Sequence, residues 1–78
     1  MKIDVFIAGH LIDVVQGLRK KYIGLEIQDG TTLKGVAEEL NIKKELVFMF
    51  IVNRKRMEAQ YVLQDGDVVT IFSPSAGG

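Results

Sequence analysis

Residues 29–40, Asp29-Gly30-Thr31-Thr32-Leu33-Lys34-Gly35-Val36-Ala37-Glu38-Glu39-Leu40 (DGTTLKGVAEEL), decide the fold. Leu33, Val36, Ala37 and Leu40 fall at i, i+3, i+4 and i+7, which lines one face of a helix with apolar side chains. Asp29-Gly30 reads as a turn, and a threonine before Leu33 offers an oxygen to the free N–H groups of a first helical turn. Asn41 reads as the stop. Gly35 inside such a helix costs about 1 kcal/mol relative to alanine, so it is expected to pack closely against a neighbour.

Outward from this helix the pattern changes to period two. In residues 2–8 (KIDVFIA) Ile3, Val5 and Ile7 share one face and Lys2, Asp4 and Phe6 the other, the alternation of a half-buried strand. Residues 22–28 (YIGLEIQ) repeat it with Ile23, Leu25 and Ile27. The segment between, residues 9–21, reads as a long hairpin connection in which Leu11, Val14 and Val15 could form a helical turn. Residues 46–52 (LVFMFIV) are apolar on both faces, as in an interior strand. Asn53-Arg54-Lys55-Arg56 is expected to turn the chain, with a short edge strand near Met57 to Gln60. Gln64-Asp65-Gly66-Asp67 is a second turn. Val68 to Phe72 form a last strand, Val69 and Ile71 on one face and Val68, Thr70 and Phe72 on the other. Pro74 has no N–H to give a ladder, so pairing ends there. One amphipathic helix among strands has one resting place, across one face of a mixed sheet. The expectation is an α+β domain of the β-grasp, ubiquitin-like arrangement, with four to five strands over residues 1–72 and a tail over residues 73–78.

The 78 residues carry ten Lys plus Arg against ten Asp plus Glu, so no global basic excess exists to release counterions from nucleic acid. The clusters Arg19-Lys20-Lys21 and Arg54-Lys55-Arg56 read as solvated tips. There is no cysteine, hence no disulfide framework, thiolate metal site or iron–sulfur cluster. The opening run is broken by Asp4, His10 and Asp13, unlike a signal peptide, and no stretch is apolar enough to span a membrane; a cytoplasmic protein is expected. His10 has no partners at ligand spacing and reads as a loop or packing residue, and Asp65 and Asp67 read as turn formers.

The end of the chain, FSPSAGG, sets the functional question. Glycine orders at a high entropic cost, so Gly77-Gly78 is either a frayed end or a working end. Six residues from Ser73 extend about 20 Å at roughly 3.3 Å each, enough to enter a deep pocket of another protein. Pro74 stiffens the root. Side chains would collide with a narrow channel that Gly77 and Gly78 can pass, bringing the carboxylate of Gly78 to a reactive centre.

MKIDVFIAG, DGTTLKGVAEEL, the strand end FIVN and above all LQDGDVVTIFSPSAGG together resemble the MoaD/ThiS sulfur carrier proteins, over nearly the whole chain. The resemblance implies a co-substrate rather than an enzyme. A ubiquitin-activating-type adenylating enzyme (MoeB/ThiF-like), using ATP and magnesium, would adenylate Gly78, and a sulfur donor would convert the adenylate to a thiocarboxylate. The chain itself is expected to bind no cofactor or metal. In the molybdopterin branch the tail enters the large subunit of molybdopterin synthase; in the thiamine branch the sulfur goes into thiazole. The molybdopterin branch often has two prolines before the diglycine, where this chain has Ser73 first. The thiamine branch more often ends on three glycines, where Ala76 stands here. Phe72, Pro74 and the length lean toward molybdopterin, or a related tungsten cofactor. By analogy with the family, Phe48, Phe50 and Val52 are expected in the core, leaving Val47, Met49 and Ile51 outside near Phe72 as a partner-docking patch, with Pro74 and Ala76 contacting the partner along the tail. Two other classes compete: a modifier that uses the same activated Gly78 to acylate lysines, and a β-grasp binding module in which the tail has no role.

Overall fold

The computed structural model describes residues 1–9 and 22–74. Five strands form one mixed sheet: β1 (Lys2–Ala8), β2 (Ile23–Glu26), β3 (Met49–Val52), β4 (Lys55–Met57) and β5 (Val68–Phe72), in the spatial order β2-β1-β5-β3-β4. β1 and β5 run parallel and the other pairs antiparallel. One helix, α1 (Leu33–Glu39), and a 3-10 turn (Lys44–Leu46) complete the described elements. This is the expected α+β arrangement, in the expected order. The connection expected over residues 9–21, with its helical turn and with His10, lies outside the described residues apart from Gly9.

α1 has only seven residues, too short to persist by propensity. Its apolar stripe is as read from the sequence, with Leu33, Val36 and Ala37 buried. They meet Ile3, Val5, Phe50, Val52, Val69 and Ile71 from the sheet in one core that also takes in Ile27, Ile42 and Leu63. Its first-turn N–H groups, which have no partners within a helix, are all satisfied. Leu33 donates to the Tyr61 carbonyl (3.1 Å), Lys34 to the Ala59 carbonyl (2.9 Å) and Gly35 to Oγ1 of Thr32, the N-cap (3.2 Å). Leu63 returns a bond to the Thr31 carbonyl (2.9 Å), so residues 59–63 strap the helix start. Asn41, at φ 60°, ends the helix in the left-handed conformation that asparagine tolerates.

Four local expectations are corrected. Gly35 packs against no neighbouring element: a Cβ there would meet only Thr31 Cγ2 at 3.4 Å and Thr32 Oγ1 at 3.6 Å. The β3–β4 turn is two residues, Asn53 (φ 50°) and Arg54 (φ 72°), with Val52 paired to Lys55. Two successive left-handed residues match the twist of a hairpin, so Lys55 and Arg56 belong to β4, which ends at Met57 where the edge strand was expected to begin. The apolar run 46–52 is not all strand, because the 3-10 turn delivers the chain to the sheet only at Met49. Phe48 is therefore outside the alternation and is 65% exposed rather than in the core, while Phe50 and Val52 are buried as expected.

The loop before β5 closes on a buried carboxylate. Asp67, 5% exposed, accepts from Asn53 Nδ2 (2.9 Å), the Tyr61 hydroxyl (3.0 Å) and the Gln64 N–H (2.9 Å). Asn53 Oδ1 in turn accepts from the Val68 N–H at 3.0 Å. Asp65 accepts from the Lys2 N–H at 2.8 Å, and Gly66, at φ 85°, donates to the Lys2 carbonyl. Both aspartates shape the turn, as read from the sequence. Partial burial first, then the hydrogen bond to Asp67 and its charge, raise the Tyr61 phenol above its ordinary value.

Gly35→Ala should stabilise the domain by about 0.5–1 kcal/mol, a rise of about 3–6 °C in a thermal melt; a fall would show that the glycine has a packing role. For Tyr61 the neutral phenol is favoured in the folded state. Its contribution to stability is complete below the ordinary value of 10.0 and is lost as pH rises through the higher folded value. Urea titrations across that range should show stability falling less steeply for Tyr61→Phe than for the parent chain.

Candidate partner-docking face and tail root

The register of the sheet sorts its residues into two faces. One carries Ile3, Val5, Phe50, Val52, Val69 and Ile71 against α1. On the other, Ala8, Phe72 and Met49 form one cross-strand row, and Phe6, Thr70, Ile51 and Arg56 the next. Tyr22, ahead of β2, places its ring 5.8 Å from that of Phe6. No described helix lies on this second face. Ala8, Thr70 and Phe72 on it are buried, so the apolar surface it offers lies at Met49 and Ile51.

The expected docking residues divide. Met49 and Ile51 are half-buried on this second face, beside Phe72 and Thr70. Val47 is instead packed against the core and lines a groove of about 540 Å³ between α1 and the β3–β4 edge, together with Ala37, Ile42, Phe50 and Met57; Phe48 and Met49 also border it. Phe72 is on the face expected but only 7% exposed. The ring of Phe48 stands edge-on to it, centroids 5.5 Å apart, so Phe48 takes the exposed position foreseen for Phe72. Edge-to-face pairing is favourable for aromatic rings, and it leaves one aromatic at the surface where the chain leaves the sheet. Phe48 is thus the docking candidate that sequence reasoning missed. The only signal was the charged segment Lys43-Lys44-Glu45 just ahead of it, which shortens the strand from its start.

The root of the tail is fixed. Phe48 donates its N–H to the Phe72 carbonyl at 2.8 Å, and Ser73 donates its N–H to the Ala8 carbonyl at 2.9 Å. The Ser73 hydroxyl donates to the Leu46 carbonyl at 2.7 Å, and Ser73 is 0% exposed. Ser73, expected to open the tail, is held by the domain, and Pro74 is the first exposed residue beyond it. Ala76, Gly77 and Gly78 lie outside the described residues.

Among the described residues no three His, Cys, Asp or Glu side chains are grouped to hold a metal ion, and no helix is long and apolar enough to cross a membrane. Arg54, Lys55 and Arg56 are exposed at the hairpin tip and on β4. Charge there protects an edge strand from pairing with other chains.

The fold is shared with solved structures of low sequence identity. A Pyrococcus furiosus protein described as molybdopterin converting factor, subunit 1, has a TM-score of 0.63 at 21% identity, covering 95% of this chain and 98% of that one. SAMP1 from Haloferax volcanii has a TM-score of 0.64 at 13% identity, with both chains fully covered. The Haloferax volcanii HVO 2177 protein has a TM-score of 0.63 at 22% identity, covering all of this chain and 87% of that one. No curated protein matches in sequence. Residues 12–78 match the ThiS family, most of the chain and the whole of the tail included, and with the ubiquitin-like fold beneath them the chain belongs to the ThiS family of small sulfur carrier proteins.

Proposed function

We propose that this chain carries sulfur on the carboxylate of Gly78 for the synthesis of molybdopterin or a related tungsten cofactor. The observation that supports this most is the join between tail and domain: a narrow end, Gly77-Gly78, follows a root held by three hydrogen bonds at the end of the central strand. From Ser73 the five residues Pro74–Gly78 reach about 17 Å at roughly 3.3 Å each. A fixed root and a thin end suit a group presented to another protein's active site, because less freedom is lost on insertion.

The chemistry is done to the chain. A Gly78 carboxylate oxygen attacks the α-phosphorus of ATP in a ubiquitin-activating-type enzyme, and pyrophosphate leaves. A sulfur nucleophile then attacks the carbonyl carbon of the acyl adenylate, and AMP departs with the bonding electrons to leave a thiocarboxylate. In an enzyme resembling the large subunit of molybdopterin synthase the thiocarboxylate sulfur bonds to the acceptor, and water then cleaves the thioester so formed, leaving the sulfur on the acceptor and restoring the Gly78 carboxylate. Both partners dock on the second face of the sheet, where Phe48, Met49 and Ile51 offer apolar contact. Phe72 and Pro74 favour the molybdopterin branch over thiazole synthesis. The likeness to the Pyrococcus furiosus protein extends to the fold alone.

Incubation with ATP, magnesium, the activating enzyme of the same cell and a sulfide source should raise the intact mass by the exchange of one oxygen for sulfur. The gain should map to the C-terminal peptide and be trapped by a thiol-selective alkylator. The mapping separates it from oxidation of one of the three methionines. Loss of Gly77 and Gly78 should abolish the gain, and lysine-linked adducts without any thiocarboxylate would instead establish a modifier. Phe48→Ala should raise the KM of the activating enzyme for this chain about tenfold, the effect of truncating an aromatic anchor. Its melting temperature should change little, since Phe48 is largely exposed.

A further inference from the structure

Ser73 carries a fully buried hydroxyl at the root of the tail, and the proposed chemistry does not use it. Its N–H is held by Ala8 at the end of β1, and its Oγ by the Leu46 carbonyl at the end of the 3-10 turn. These two anchors lie on opposite sides of the chain: β1 flanks β5 on one side, and the segment leading into β3 flanks it on the other. The Leu46 carbonyl is one of those a helical turn leaves without an internal partner, and the serine supplies it. With Phe48 also bonded to the Phe72 carbonyl, the last peptide before Pro74 is tied from both flanks. Such a bond fixes direction as well as position. An alanine at 73 would keep the ladder bond to Ala8 but release the tie to Leu46, and the tail would then start from a root free to swing toward one side.

We propose that Ser73 is a positioning residue whose hydroxyl aims the tail, so that the docked domain delivers Gly78 to the activating enzyme at a low entropic cost. The proposal rests on the sulfur-carrier reading and concerns the same end of the chain. Ser73 is fully buried, so its side chain is not presented to a partner; it acts through Pro74 and the residues beyond. Losing the tie therefore makes productive insertion rarer without altering the attack of the Gly78 carboxylate on ATP once the tail is in place. Because the chemistry happens five residues further on, binding should suffer and the chemical step should not.

The test is pyrophosphate release by the activating enzyme with the full-length chain, Ser73→Ala and Ser73→Gly as substrates, alongside thermal melts of each. The expected result is a graded rise in KM, about threefold to tenfold for Ser73→Ala and larger for Ser73→Gly, whose backbone is freer, with kcat within about twofold of the parent. Amide hydrogen exchange in Ser73→Ala should quicken at residues 46–48 and 73 while the rest of the sheet stays protected. A KM unchanged in both folded variants overturns the proposal, as does a fall in kcat matching the rise in KM, which would place the serine in the chemistry. A loss of melting temperature with parental kinetics reduces Ser73 to a purely structural residue and overturns it equally. If the parent chain itself yields no pyrophosphate with an enzyme shown to be competent on its own carrier, the sulfur-carrier reading fails first.

Discussion

The structure depends on holding β5 in register. The strand lies in the middle of the sheet, between β1 and β3, and four of its five residues are buried. A strand buried on one face is placed by its alternation, because a slip of one residue exposes its apolar set. β5 has little such protection: Val69 and Ile71 face α1, but Thr70 and Phe72 on the other side are buried as well. Its register comes instead from the residues at its two ends. Asp67, immediately before it, has three donors to satisfy, and Ser73, immediately after it, has one carbonyl to reach. A shift by one position would leave a buried carboxylate without its donors and the Leu46 carbonyl without its hydroxyl. Each unmade bond of this kind costs about 1–3 kcal/mol.

These polar ends also help hold together a small domain whose sequence has no cysteine to form a disulfide. β1 and β5 come from opposite ends of the sequence and run parallel, so a long excursion of the chain must be closed before their bonds form. The knot at Asp67 ties together the β3–β4 turn through Asn53, the helix strap through Tyr61 and the turn backbone through Gln64. One carboxylate thus joins three separate connections at the end of the sheet where β5 begins. A buried network is favourable only when every member is satisfied, and among the described residues no buried side-chain nitrogen or oxygen lacks a partner.

What the sequence disclosed follows from periodicity. Leu33, Val36, Ala37 and Leu40 gave the helix and its buried face, and Ile3 with Val5 and Val69 with Ile71 gave the core faces of the two central strands. Periodicity failed where a short element interrupts a run. LVFMFIV reads as seven alternating positions, yet Phe48 falls outside the strand because the 3-10 turn consumes its beginning. Arg54 in a left-handed conformation was equally hidden: asparagine at 53 signals a turn, but nothing in an arginine announces a positive φ. Gly35 was read as a packing contact on its cost alone, and the structure shows no neighbour there. Ser73 stood out as a departure from a proline pattern; that it is a buried donor to a carbonyl 27 residues earlier is a tertiary fact no local pattern records.

The division of labour between body and tail follows from the position of β5. An edge strand that ended the chain would flex with the edge, and its tail would sweep a wide volume. A central strand has neighbours on both sides, and the last peptide of β5 is bonded to both Phe48 and Ala8. The demand for a rigid start conflicts with the demand for a thin, adaptable end, since bulky side chains give rigidity and glycines give thinness. The chain resolves this within seven residues: Phe72 and Ser73 are buried and bonded, Pro74 narrows the backbone choices at the exit, and Gly77-Gly78 close the sequence without side chains. Buried and bonded residues thus lie immediately ahead of Pro74 and the glycines, which is the order the proposed function would require.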